Sequence, residues 1–110
     1  MHINEKIAVA DALQRLNVDI IEAGYPAASE GDFEAVRQIA KRIRTAEITG
    51  LARCKQHDID VLWDALKEAE NPRLHLFIAT SPIHLAHKYK ITPDAAIDTL
   101  TDAIRYAKKY

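Results

Sequence analysis

A chain of 110 residues with a formal net charge of −1 has room for one core. It carries no Lys/Arg run of the kind that binds nucleic acid or an acidic membrane surface. The single cysteine, Cys54, excludes an intrachain disulfide framework and suits a reducing cytoplasm. A hydrophobic fraction of 48% beside 28% charged residues is that of an ordinary globular chain, with no signal peptide and no apolar run of membrane-spanning length.

Asn4 reads as the cap of a first helix, on which Ile7, Ala10, Leu13 and Leu16 follow at helical spacing before a stop at Asn17. Residues 18–24 read as a strand and Tyr25-Pro26-Ala27-Ala28 as loop. Ser29-Glu30-Gly31-Asp32 has the S-x-x-D form of a capping box. It opens a second helix marked by Phe33, Val36, Ile39, Ala40 and Ile43. Residues 46–52 are the second strand. A third helix is expected from Asp58 to Glu70, with Val61, Leu62, Ala65, Leu66 and Ala69 inward, closed by Asn71-Pro72. Residues 73–80 are apolar on both faces, as in a buried parallel strand. Ser81-Pro82 starts a short helical turn, and Thr92-Pro93 starts a last helix whose apolar face is Ile97, Leu100, Ile104 and Ala107.

This is an α/β chain: a helix, then three β-α units in strict alternation, which implies right-handed crossovers and a parallel sheet. No G-x-G-x-x-G or G-x-x-x-x-G-K loop follows a strand, which weighs against nucleotide-binding versions of the architecture.

In parallel α/β folds functional groups gather at the carboxyl ends of the strands. Glu22, Arg53 and the pair Thr80-Ser81 stand at those ends, and His75 lies slightly deeper in its strand. Two readings fit. A carboxylate, a guanidinium, an imidazole and two hydroxyls would converge on a polar substrate; alternatively, Glu22 and Arg53 form an ion pair at a sheet edge and His75 is a hydrogen-bonded core histidine. Cys54 and His57, with His84 and His87, offer four zinc-type ligands that nothing in the spacing brings together. Arg53 beside Cys54 would lower the thiol pKa. Trp63 is helix surface or packs on a neighbour, and His2 carries no signal.

Three blocks go further. Ile21-Glu22-Ala23-Gly24-Tyr25-Pro26-Ala27-Ala28-Ser29-Glu30-Gly31-Asp32-Phe33-Glu34, then Leu51-Ala52-Arg53-Cys54, then His75-Leu76-Phe77-Ile78-Ala79-Thr80-Ser81-Pro82-Ile83-His84, closely resemble the 2-isopropylmalate synthase family in order and spacing. The resemblance covers essentially the whole chain. It implies part of a TIM (β/α)8 barrel, strands 2 to 4 with flanking helices, as one partial catalytic domain over residues 1–110 without a regulatory domain. It also implies a cytoplasmic acyltransferase of leucine biosynthesis that condenses acetyl-CoA with 2-oxoisovalerate, a divalent metal, Mg or Mn, polarising the oxo acid. By resemblance, His75 faces the oxo acid, Glu22 and Arg53 end strands 2 and 3, Leu51 lines the pocket for the branched side chain, and Thr80 sits at the mouth.

The family segments that supply the metal ligands and the catalytic arginine have no counterpart in these residues. A full barrel takes roughly 250 residues. The expectation is therefore a fragment, inactive alone, with an uncovered inner face bearing Thr49, Leu51, Phe77 and Ala79. Such a piece would self-associate through open sheet edges, where the full-length family forms a homodimer. The alternatives are a non-catalytic α/β module for oligomerisation or partner binding, and a fragment of a sister synthase making citramalate or homocitrate.

Overall fold

In a computed structural model, which describes residues 2–78 and 93–110, four helices and three strands follow in the expected order. They are α1 (Ile3–Arg15), β1 (Ile20–Glu22), α2 (Glu30–Arg42), β2 (Glu47–Arg53), α3 (Gln56–Leu66), β3 (Pro72–Phe77) and α4 (Pro93–Ala107), with a 3-10 turn at Pro26–Ala28 between β1 and α2. The sheet is parallel in sequence order, β1-β2-β3. Ile21 pairs with Ile48, Gly50 with Leu74 and Leu51 with His75, which fixes the faces of every strand. Ile21, Ile48 and Ala52 point to the outer face. There they join Val36, Ile39, Ala40 and Ile43 from the second helix and Ile59, Leu62, Ala65 and Leu66 from α3 in one core.

Local chemistry sets the boundaries and corrects several expectations. The first helix is capped by His2, whose Nδ1 accepts from Asn4 N at 3.2 Å, so Asn4 lies inside the first turn. At its other end Asn17 takes a left-handed φ of 60°. Its N–H reaches the Gln14 carbonyl and Val18 N–H the Leu13 carbonyl, the pair of bonds of a Schellman cap. That cap consumes residues 17 and 18, and β1 is therefore only Ile20–Glu22 rather than 18–24. Ser29 caps α2 as its sequence implies, accepting from Asp32 N at 3.1 Å. The reciprocal half of the box differs: Asp32 accepts from the Ser29 hydroxyl at 3.0 Å.

The third helix begins at Gln56 and ends at Leu66, starting about half a turn and ending about one turn before the 58–70 span. Asp58 is thus in its first turn, not at its cap. Asp58 and Ile59 are buried, whereas Val61 is half-buried. β3 is a half-exposed edge strand rather than a buried one: Arg73 and His75 are exposed, and no strand among the described residues pairs on its far side.

The inward face of α4 is small: Ala96, Ala103 and Ala107 are buried, while Ile97 and Ile104 are 61% and 42% exposed. The reason lies at its end. Tyr106 and Tyr110 both donate to Asp60, at 2.7 and 2.5 Å, and Tyr110 stacks on Trp63 at 5.3 Å. These contacts clamp the helix on α3 by its alanine stripe and turn the isoleucines away.

Candidate functional site

Strand alternation leaves Ile20, Glu22, Thr49, Leu51, Arg53, His75 and Phe77 on the sheet face that carries no helix among the described residues. Glu22 and His75 sit on the two outer strands, with β2 between them. Their side chains meet across it, His75 Nδ1 to Glu22 Oε1 at 2.6 Å. A second bridge, Arg73 Nη1 to Glu47 Oε2 at 2.9 Å, crosses from β3 to β2 nearer the amino ends. Thr49 lies between the two. It is 4% exposed, so the inner face is not uncovered at this residue as expected. Its hydroxyl has no hydrogen-bond partner among the described residues. Leu51 and Phe77 are half-buried further along the same face.

With Glu22 ionised, Nδ1–H of His75 is the donor, which fixes the tautomer and leaves Nε2 for a ligand. A cavity of about 690 Å³ opens here. Glu22, Thr49 and His75 form its polar end, and it reaches round the open edge of β3 to Leu100 and Ile104 of α4. One end can hydrogen-bond an oxygenated group while the other takes an apolar one.

Arg53 does not pair with Glu22. Its Nε and Nη2 bond to Asp58 at 2.8 and 3.1 Å, and its own backbone N–H donates to the same carboxylate at 3.1 Å. Tyr25 adds its hydroxyl at 2.8 Å and packs edge-on against Phe77 at 6.2 Å. Burial alone would push the Asp58 carboxyl up, but the bonds from Arg53 and Tyr25 outweigh it and hold it below the usual carboxylate range. Burial and the Asp58 carboxylate raise the Tyr25 hydroxyl, and hydrogen bonding to Asp58 raises the Arg53 guanidinium. Arg53 is therefore a neutralised cation at the rim of the face.

Cys54 behaves opposite to expectation. Burial raises its thiol, which lies 3.4 Å from the Phe77 carbonyl, and the neighbouring guanidinium is spent on Asp58. Thr80, Ser81, His84, His87 and Ala79 fall outside the described residues. Among the described residues no group of three His, Cys, Asp or Glu side chains is placed to hold a metal ion. The Glu22–His75 pair offers two donors at most, and no step is routed through a metal here.

Sequence reading had named Glu22, Leu51, Arg53 and His75, and had placed Thr49 on the inner face only as an open surface residue. It missed Asp58, Tyr25 and Glu47. Parity within β2 is the signal for Glu47 and the first turn of α3 that for Asp58, while Tyr25, in the loop after β1, has none.

Comparison with known proteins bears on these residues directly. The profile of the HMGL-like family matches residues 1–110. The 2-isopropylmalate synthase of Geobacillus thermodenitrificans (strain NG80-2) is 54% identical over 110 residues, which are 100% of this chain and 21% of that protein. That of Geobacillus sp. (strain WCH70) is 56% identical with the same coverage. That of Shouchella clausii (strain KSM-K16) is 53% identical over 105 residues, 96% of this chain and 20% of that protein. The chain thus spans about a fifth of the length of the relatives it matches.

Proposed function

The chain belongs to the HMGL-like family, a family of TIM barrels, and from that premise we propose that it is a stretch of the catalytic barrel of a 2-isopropylmalate synthase. In this reading β1, β2 and β3 are barrel strands 2, 3 and 4. The observation that carries it is identity above one half with synthases over all 110 residues. The whole enzyme is a cytoplasmic homodimer that condenses acetyl-CoA with 2-oxoisovalerate for leucine biosynthesis. Among the described residues no helix is long and apolar enough to cross a membrane.

Within the reaction, this stretch supplies part of the oxo-acid pocket. His75 presents a ring nitrogen to the substrate, with Glu22 beside it. Leu51 lies beside the branched side chain, Arg53 shapes the rim through Asp58, and Thr80 belongs to the mouth. The divalent ion, Mg or Mn, supplies Lewis-acid polarisation of the oxo group. Its ligands lie outside these residues.

The test is a chimera in which residues 1–110 replace the matching segment of the Geobacillus stearothermophilus synthase, to which they are 54% identical. Thiol release should depend on both acetyl-CoA and 2-oxoisovalerate. A folded chimera that releases no thiol, or that turns over only another oxo acid, overturns the assignment. The isolated chain should release none. It should instead self-associate, because the free edge of β3 and the exposed Ile97 and Ile104 lack cover among the described residues. Sedimentation velocity showing a monomer at every concentration would reject this.

A further inference from the structure

We propose that the Thr49 hydroxyl is a ligand contact concealed under the Glu22–His75 bridge, and that it takes a carbonyl or hydroxyl oxygen of the small molecule received by this face. The inference rests on the synthase reading for its ligand, the 2-oxo acid.

Thr49 sits mid-sheet, with Glu22 beside it on β1 and Arg73 beside it on β3. Its carbonyl is already committed to Ala23 N–H at 2.8 Å. Its hydroxyl is buried and has no partner among the described residues, whereas almost every buried polar group in a folded protein is satisfied. A valine has the same shape and would carry no such cost. A hydroxyl in that position answers to something other than the stability of the sheet.

The cover above it differs in kind from the residue itself. Glu22 and His75 are 45% and 53% exposed, and Glu47 and Arg73 are 48% and 56% exposed. Ion pairs so open to water are weak and screened by salt, so either opens readily. The threonine beneath is fixed by strand pairing on both sides. Opening the Glu22–His75 bridge therefore exposes two donors at the polar end of the cavity, the Thr49 hydroxyl and a ring nitrogen of His75. An oxygen placed between them satisfies both. Glu22 stands alongside, while Arg73 and Lys108 line the same cavity and can meet a carboxylate, which leaves the carbonyl or hydroxyl oxygen for Thr49.

Two measurements test it. In the isolated chain, Thr49→Val should raise the urea midpoint, because it removes an orphaned polar atom. A lower midpoint would mean that the hydroxyl is already satisfied, and would overturn the proposal. In the chimera described above, calorimetric titration with 2-oxoisovalerate should show about tenfold weaker binding for Thr49→Val, the loss of one ordinary hydrogen bond. Thr49→Ser, which restores the hydroxyl, should bind within about twofold of the parent. Titration with 3-methylbutanoate, which lacks the oxo group, should not distinguish Thr49→Val from the parent. If the parent chimera binds no oxo acid, the synthase reading falls and this inference with it. If the parent binds and Thr49→Val binds equally well, or loses 3-methylbutanoate to the same extent, only the Thr49 inference falls.

Discussion

Replacing Asp58 by alanine will lower the unfolding free energy by about 3 kcal/mol, the low end for removing one partner of a buried ion pair. The carboxylate is 1% exposed and satisfies four donors: the Arg53 backbone N–H, two guanidinium nitrogens and the Tyr25 hydroxyl. Arg53 is 38% exposed, so water recovers part of its loss. Urea denaturation of the two chains measures the difference, and a loss under about 1 kcal/mol would mean that the cluster contributes no more than a surface pair. The carboxyl titrates lower when folded than when unfolded. Its contribution is therefore complete above its unfolded pKa of about 4 and is lost as the pH falls through the lower, folded value. The stability difference between the chain and Asp58→Asn should accordingly be flat from neutral pH down to about 5 and shrink below about 4. A difference that grows on acidification would contradict the assignment.

Gly50→Ala will cost about 2 kcal/mol, in the range for overpacking a well-filled core. A Cβ at Gly50 would lie 2.7 Å from Leu62 Cδ1 and 3.0 Å from the Gly24 carbonyl oxygen. Leu62 is fully buried and cannot swing aside. The Gly24 carbonyl is held by Leu51 N–H at 2.8 Å, and Gly24 itself has a φ of 153°, which other residues rarely adopt. β2 is thus packed against both the helix and the β1 turn at the one residue without a side chain. Thermal or urea unfolding checks the figure. The double variant Gly50→Ala/Leu62→Val should recover part of the loss, since it vacates the colliding methyl, and a double variant with purely additive losses would place the strain elsewhere.

Much of this organisation can be read from the residues, and the failures have physical causes. The Ser29 cap, the order of elements and the parallel sheet follow from local rules that tertiary contacts did not override. β1 is short at its start because Val18, a residue that favours strands, is taken up by the cap that finishes α1. The stripe of α4 was misjudged because hydrophobicity favours Ile97 and Ile104, whereas close approach favours Ala96, Ala103 and Ala107. At the site, parity placed Glu22, Leu51 and His75 on a common face. The pairing itself was hidden, since which carboxylate meets His75 and which meets Arg53 depends on strand register and on where α3 begins. Asp58 marked only the expected start of α3. In its first-turn position it withdraws Arg53 from the centre of the face and leaves Glu22 to the histidine.

The order of strands in the sheet is also the order in which a ribosome makes them. Each strand pairs with the one synthesised just before it, one helix earlier, so every loop that must close is of similar and modest length. Assembly can keep pace with translation, each β-α unit docking on a template already formed, without waiting for distant sequence. The same sequence of events leaves one strand edge bare at every stage. Lysines and arginines near the growing edge would then protect a nascent chain from its neighbours, and the Arg73–Glu47 pair and His75 keep the edge of β3 charged and hydrated.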